Sequence, residues 1–216
     1  MKFVLVIMSL LASMVVLASG QQSTPAARPD KATLDWLYDG TQWLDEKDRI
    51  GVTKTLTPDE RKDIIEALSV QLRPGKMLGS AASEKKLLND VKNTRVKLVD
   101  LNEDGIQEII AQGSGEESCS PTGNCSFWVF MRSGNEYKLI LEKGAVQTFA
   151  ISSRRTSGFN DLVLGQHGSA FESALFVYHF TNGKYRRGPC YNVCFERLVG
   201  DEWQELKNPI ITPCNR

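Results

Sequence analysis

The sequence predicts a mainly β protein with a short α-helical N-terminal segment, its strands arranged as repeated antiparallel hairpins in a small domain. Three observations carry this. From Arg95 onward the apolar pattern takes the two-residue period of strands, with short runs rich in β-branched and aromatic residues: RVKLV, EIIAQ, FWVFMR, YKLILE, DLVLG, ALFVYHF and CFERLV. Gly, Asn, Ser or Asp separate these runs. Before them lies a stretch of helical period, and a self-similarity runs through the strand region itself.

The first twenty residues, MKFVLVIMSLLASMVVLASG, have the form of a cleavable signal peptide. Lys2 gives a positive start, Phe3 to Leu17 an apolar stretch, and Ala18-Ser19-Gly20 small residues for cleavage. The apolar stretch is shorter than the ~20 residues that span a bilayer, so no stable membrane anchor is expected after cleavage. Residues 21–32 read as a flexible polar leader, and residues 33–216 as one domain. In LDWLYDGTQWLDE, the Asp39-Gly40 pair suits a hairpin turn, with an amphipathic helix as the alternative.

A helical segment is expected at about residues 57–92. Thr57 can cap, Pro58 suits the first helical position, and Glu60 completes a capping box. Ile64, Ile65, Leu68 and Leu72 follow at helical spacing, and Arg73-Pro74-Gly75 stops the element. A weaker helix from Ser83 to Val91 would place Leu87, Leu88 and Val91 on one face.

The strand region repeats. DGIQEIIAQG (residues 104–113) resembles SGFNDLVLGQ (residues 157–166), aligning Gly105 with Gly158 and Glu108 with Asp161. Each copy leads into an apolar strand, a Gly turn and a Tyr-bearing strand. CFERLVGDEWQEL is a third, shorter echo. Stacked units of this kind bury a core that none could bury alone.

Charge excludes one class of partner. The 216 residues hold 26 basic and 26 acidic side chains with no long run of either sign, so no nucleic-acid footprint is present. All five cysteines lie in the second half, beyond the export signal, and read as disulfide-forming. The Pro and Gly inside CSPTGNC favour a local Cys119–Cys125 bridge. Cys190 and Cys194 are the next candidates, although an extended strand would hold them ~13 Å apart and a bend at Asn192 would be needed. Cys214 can pair with either, and one cysteine must stay free or bond between molecules.

VDLNEDGIQEII (residues 99–110) concentrates oxygen ligands. The side chains of Asp100, Asn102 and Asp104, the main-chain carbonyl of Ile106 and the Glu108 carboxylate fall at positions one, three, five, seven and nine of a loop, with Gly105 allowing the sharp turn. Calcium takes six to eight oxygens, and a cation would relieve the repulsion among three carboxylates. Position twelve holds Ala111 in place of the bidentate Glu of an EF-hand, and the flanks are strands, so a sensor that opens two helices is not expected. A plain turn without an ion is the alternative. The second copy has Ser157 in place of Asp104 and no acids before it, and is expected to be metal-free.

This loop with its degenerate echo resembles the D-x-[DN]-x-D-G repeats of calcium-binding FG-GAP and VCBS-type β-propeller proteins. More closely, Val96 to Arg197 resembles small exported bacterial proteins of propeller-like fold with one calcium loop, some similar to periplasmic inhibitors or immunity proteins that block lysozyme-like peptidoglycan hydrolases. The resemblance covers roughly half of the mature chain and implies a small irregular propeller-like or stacked β-sheet domain, periplasmic or secreted.

No catalytic constellation stands out. His167 and His179 are the only histidines. His167, with Ser169 two residues on, is the better centre for a hydrolase, but no G-x-S-x-G elbow surrounds it. An exported non-enzymatic binder of an envelope protein is therefore expected, and the resemblance implies inhibition of a lysozyme-like hydrolase. The alternatives are a secreted hydrolase centred on His167 and a calcium-stabilised structural or carbohydrate-binding module. Two Gly-rich loops, residues 113–125 and 165–173, are expected to open on one side as a binding rim, with Glu116, Glu117, His167 and Glu172 as polar contacts and Phe171 as anchor.

Overall fold

The computed structural model describes residue 42 and residues 44–72, 81–115, 118–134 and 136–214. The signal peptide, the leader, the turn at Asp39-Gly40, the Arg73-Pro74-Gly75 stop, Glu116 and Glu117 lie outside the described residues.

After a 3-10 turn at Glu46–Asp48, two helices precede the sheets: α1 (Pro58–Leu72) and α2 (Ala81–Asn93). The start of α1 is set by a reciprocal cap. The Thr57 hydroxyl accepts from the Glu60 N–H at 3.2 Å, and the Glu60 carboxylate accepts from the Thr57 N–H at 2.8 Å. Those N–H and hydroxyl donors hold the Glu60 carboxyl below its ordinary range. Ile64 and Leu68 of α1 are fully buried, as their spacing predicts, with Ile65 and Leu72 packed beside them. In α2, Val91 is buried and Leu87 partly so, but Leu88 is 45% exposed. The expected three-residue face is therefore corrected to two: a step of one residue turns a helical side chain by about 100°.

Nine strands follow among the described residues. β1 (Arg95–Val99), β2 (Glu108–Gln112), β3 (Cys125–Ser133) and β4 (Glu136–Val146) form an antiparallel sheet in sequence order. β5 (Thr148–Thr156), β6 (Phe159–Ser169), β7 (Glu172–Thr181), β8 (Lys184–Val199) and β9 (Glu202–Pro213) form a second, and one of the two sheets is curled into a half-barrel. The mainly β class and the run of hairpins are thus present. A propeller-like arrangement is not confirmed, because the strands stand as two stacked sheets.

The main core lies between the sheets. Ile110, Phe127, Val129 and Ile140 from the first meet Phe149, Leu162, Leu164 and Phe180 from the second. The helices cover the other face of the first sheet, where Ile64, Leu68 and Val91 pack on Val96, Ile109, Trp128 and Phe130. Since both faces of β2 are covered, all five of its residues are buried and its sequence shows no polar alternation. The second sheet also holds a smaller core of Ala150, Val163, Leu175, Tyr191 and Val193.

The two copies of the sequence repeat fall in different sheets, and each enters its strand through a glycine at positive φ: Gly105 at 83° before β2, Gly158 at 88° before β6. These values lie where only glycine is unstrained. The segments around these turns are tied together across the two sheets. The Asn160 N–H donates to the Leu101 carbonyl at 2.7 Å, Tyr185 Oη–H donates to the Asn160 carbonyl at 2.7 Å, and Arg155 pairs with Glu103 at 2.7 Å.

Candidate functional site

The loop between β1 and β2 is organised around the Asp100 carboxylate. Its Oδ1 accepts from the N–H groups of Glu103 at 2.6 Å and Asn102 at 3.3 Å, and its Oδ2 from Gly105 at 2.9 Å. Asn102 Oδ1 accepts from the Asp104 N–H at 3.1 Å, and Asp104 Oδ1 from the Ile106 N–H at 2.7 Å. Desolvation pulls the Asp100 carboxyl upward, but the surrounding N–H donors together outweigh it and leave it below the ordinary aspartate range. The side chains are therefore ordered by the main chain they wrap.

Glu108 closes the loop from inside. It is 1% exposed, and its Oε2 accepts the Leu101 N–H at 2.8 Å. Burial raises its pKa, and the negative charges of Asp104 and Asp100 raise it further against the pull of that hydrogen bond. Among the described residues no Lys, Arg or His forms an ion pair with Asp100, Asp104 or Glu108. Nor do three His, Cys, Asp or Glu side chains cluster tightly enough there to hold a metal unaided. The sequence adds the Asn102 amide oxygen and the Ile106 carbonyl to the three carboxylates as candidate ligands. All of these are hard oxygens, the chemistry that calcium accepts.

The second copy treats the same position differently. Asp161, aligned with Glu108 and also 1% exposed, lies 2.9 Å from His179 Nδ1 on β7 and 3.5 Å from Arg154 Nε on β5. Neither carboxylate oxygen has a well-aligned hydrogen bond, so the His179 ring and the exposed Arg154 guanidinium are the groups that face it. The His179 ring occupies space that a side chain at position 188 would need: a Cβ on Gly188 would stand 2.6 Å from it. In the sequence, His179 stands only as one of two histidines, within the strand run ALFVYHF. The signal that could have found it was the buried acid required at position 161 by the repeat.

The expected loop at residues 165–173 is corrected to the paired ends of β6 and β7 around a tight turn, and the loop at residues 113–125 meets β6 there. The Asn124 side-chain amide donates to the His167 carbonyl at 2.8 Å, and its Oδ1 accepts the His167 N–H at 2.8 Å. The Cys119–Cys125 disulfide closes the first loop beside this contact. Phe171 is 43% exposed at the tip of the β6–β7 hairpin, next to the exposed Glu172. His167 lies in β6 across from Ser173.

The second disulfide corrects the expected involvement of Cys194. Cys190 pairs with Cys214, and Cys194 is the free thiol, 3.9 Å from Glu172 Oε1. Extended β8 separates Cys190 from Cys194 along the strand, whereas Cys214 on the next strand lies beside Cys190, its N–H donating to the Cys190 carbonyl at 2.9 Å. Two disulfides suit an oxidising, extracellular environment. Among the described residues no helix is long and apolar enough to cross a membrane.

For the hydrolase alternative, His167 and Ser169 would have to share a hydrogen bond, and none joins them among the described residues. The Ser169 hydroxyl instead accepts the Phe171 N–H at 3.3 Å. No protein-family model, curated protein or solved structure matches the chain.

Proposed function

We propose that this chain is an exported, non-enzymatic calcium-binding protein that engages a protein of the cell envelope, with a lysozyme-like peptidoglycan hydrolase as the target to test first. The observation that carries the calcium part is the contrast between Glu108 and Asp161. Two buried carboxylates occupy equivalent places. One lies at ion-pair distance from His179 and Arg154; the other has no ion-pair partner among the described residues and stands near Asp104 and Asp100. A buried charge is retained only when something compensates it, and a divalent cation is the compensation that an all-oxygen loop admits. The ion would be held by the side chains of Asp100, Asn102, Asp104 and Glu108 and by the Ile106 carbonyl, and would supply positive charge and a clamp on the turn. The Asp100 carboxylate orients its neighbours, and Leu101 carries the loop's position to the second sheet through Asn160.

The binding part is supported by the disulfide-stiffened loop and its two-way link from Asn124 to His167, which lower the cost of ordering a contact surface. The target class comes from the sequence resemblance. Calorimetry of the mature protein with calcium tests the first part, and muramidase inhibition with excess calcium or with chelator tests the second. Saturable one-site binding, with inhibition that disappears on chelation, is the expected result. Calcium binding without inhibition of any muramidase would leave the loop assignment standing and remove the target.

A further inference from the structure

We infer that the face formed by the β6–β7 turn and the β8–β9 hairpin is a contact surface for a basic protein, one offering Lys or Arg beside an apolar side chain. The inference rests on the reading that this chain acts by binding a protein.

The hairpin register builds the face. Leu198 stands opposite Trp203, and Glu196 opposite Glu205. Side chains two apart in a strand share a face, so Leu198 and Glu196 lie with Trp203 and Glu205 on one side. Trp203 is 66% exposed and Leu198 52% exposed, and Phe171 adds a third large apolar group from the neighbouring turn. A groove of about 270 Å³ runs between them, lined by Ser169, Phe171, Glu172, Cys194, Glu196 and Trp203. Its charged lining is acidic only.

Two features of this face are unfavourable in isolation. Large apolar side chains are left in water at a cost proportional to their area. Like charges placed directly across a strand pair repel, and among the described residues neither Glu196 nor Glu205 has an ion-pair partner. One occupant relieves both: an apolar side chain against Trp203 and Phe171, and a cation between the carboxylates. Because the whole chain has equal numbers of acidic and basic residues, the local acid excess is a matter of placement. A second copy of this chain in a two-fold contact would set the same acids against themselves. A neutral glycan could stack on Trp203 but would leave the carboxylates unmatched.

The test is calorimetry of the mature protein, disulfides intact, at low salt. The probes are a basic lysozyme-type muramidase and a short lysine- and tryptophan-containing peptide. The variants are the double substitution Glu196→Gln with Glu205→Gln, and Trp203→Ala, with Glu136→Gln on β4 as control. Each variant is expected to weaken binding of at least one probe by about tenfold, and the glutamine pair to flatten its salt dependence, with the control unchanged. Should Trp203→Ala unfold, the glutamine pair still decides, since it replaces surface carboxylates with isosteres. A muramidase bound equally by wild type and variants would overturn the surface and leave the proposed function intact. Peptide binding lost in the variants, with no muramidase bound at all, would support the surface and remove the proposed target. No binding of either probe, or Trp203-dependent binding of a neutral chitooligosaccharide in their place, would overturn the inference.

Discussion

The turn entering β2 and the turn entering β6 are two solutions to one problem. Each must bring a carboxylate to the buried inner end of a strand. The second solves it with its own side chains, placing His179 and Arg154 beside Asp161. The first gathers more acid around Glu108 and aims N–H groups at Asp100. Internal compensation makes a site whose charge is settled once the chain is folded. Compensation from outside makes a site whose stability depends on what the solution contains. The pair teaches that a repeated backbone can keep one geometry while changing where the opposing charge comes from.

The largest effect should come from breaking the self-sufficient copy. His179→Ala would leave Asp161 buried with only the exposed Arg154 nearby, and should cost about 3 kcal/mol of unfolding free energy, read from urea denaturation. Adding Asp161→Asn should return part of that loss; a double variant no better than the single would show that His179 acts through packing alone.

The dependent copy should respond to solution composition. Calcium at a hundred times its dissociation constant should raise stability by about 2.7 kcal/mol, and chelator should remove the gain. Asp104→Asn should abolish the response while leaving the calcium-free protein folded. Thermal unfolding with and without chelator checks both, and a calcium response that survives Asp104→Asn would place the ion elsewhere.

Away from the turns, Thr57→Ala should cost about 1 kcal/mol through loss of the α1 cap. Because Glu60 is held below its ordinary pKa by the Thr57 donors, its contribution is present above the usual glutamate range and is lost as pH falls through the depressed value. The cost of Thr57→Ala should therefore shrink in acid, measured by denaturation at a series of pH values.

The smallest effect sharpens the comparison of the turns themselves. Ser157 sits at a φ of 50°, a left-handed conformation that L side chains resist. Ser157→Gly should stabilise the protein by about 0.5 kcal/mol with no change in calcium response. A larger gain would mean that the hydroxyl opposes the fold in some further way.

The sequence made these features legible to different depths. The cap of α1 and the Cys119–Cys125 bridge are local, so residue type and spacing were enough. The alternation of strands and the repeat place β2 and β6 in equivalent roles in the sequence itself. Contacts that depend on register were not visible. His179 lies 18 positions from Asp161 and meets it only because Leu162 pairs with Tyr178 across the same two strands. The face of Phe171, Leu198, Trp203, Glu196 and Glu205 likewise needs the β8–β9 pairing, and only Phe171 was singled out from sequence. Leu88 was misplaced because its neighbours Leu87 and Val91 suggested a wider apolar stripe than α2 presents. The partner of Cys190 also remained open, since either of two cysteines could meet Cys214 until a register was known.

That last pairing carries a consequence for how the molecule is proofread. Side chains in a sheet alternate with a period of two, so sliding β9 by four residues along β8 would return every side chain to the face it started from. Hydrophobic alternation is blind to such an error. The thiols are not, because a four-residue slide exchanges Cys190 for Cys194 as the neighbour of Cys214. Whichever bond the oxidant seals is thus a permanent record of alignment, and peptide mapping of the sealed protein would read out strand register as a chemical fact.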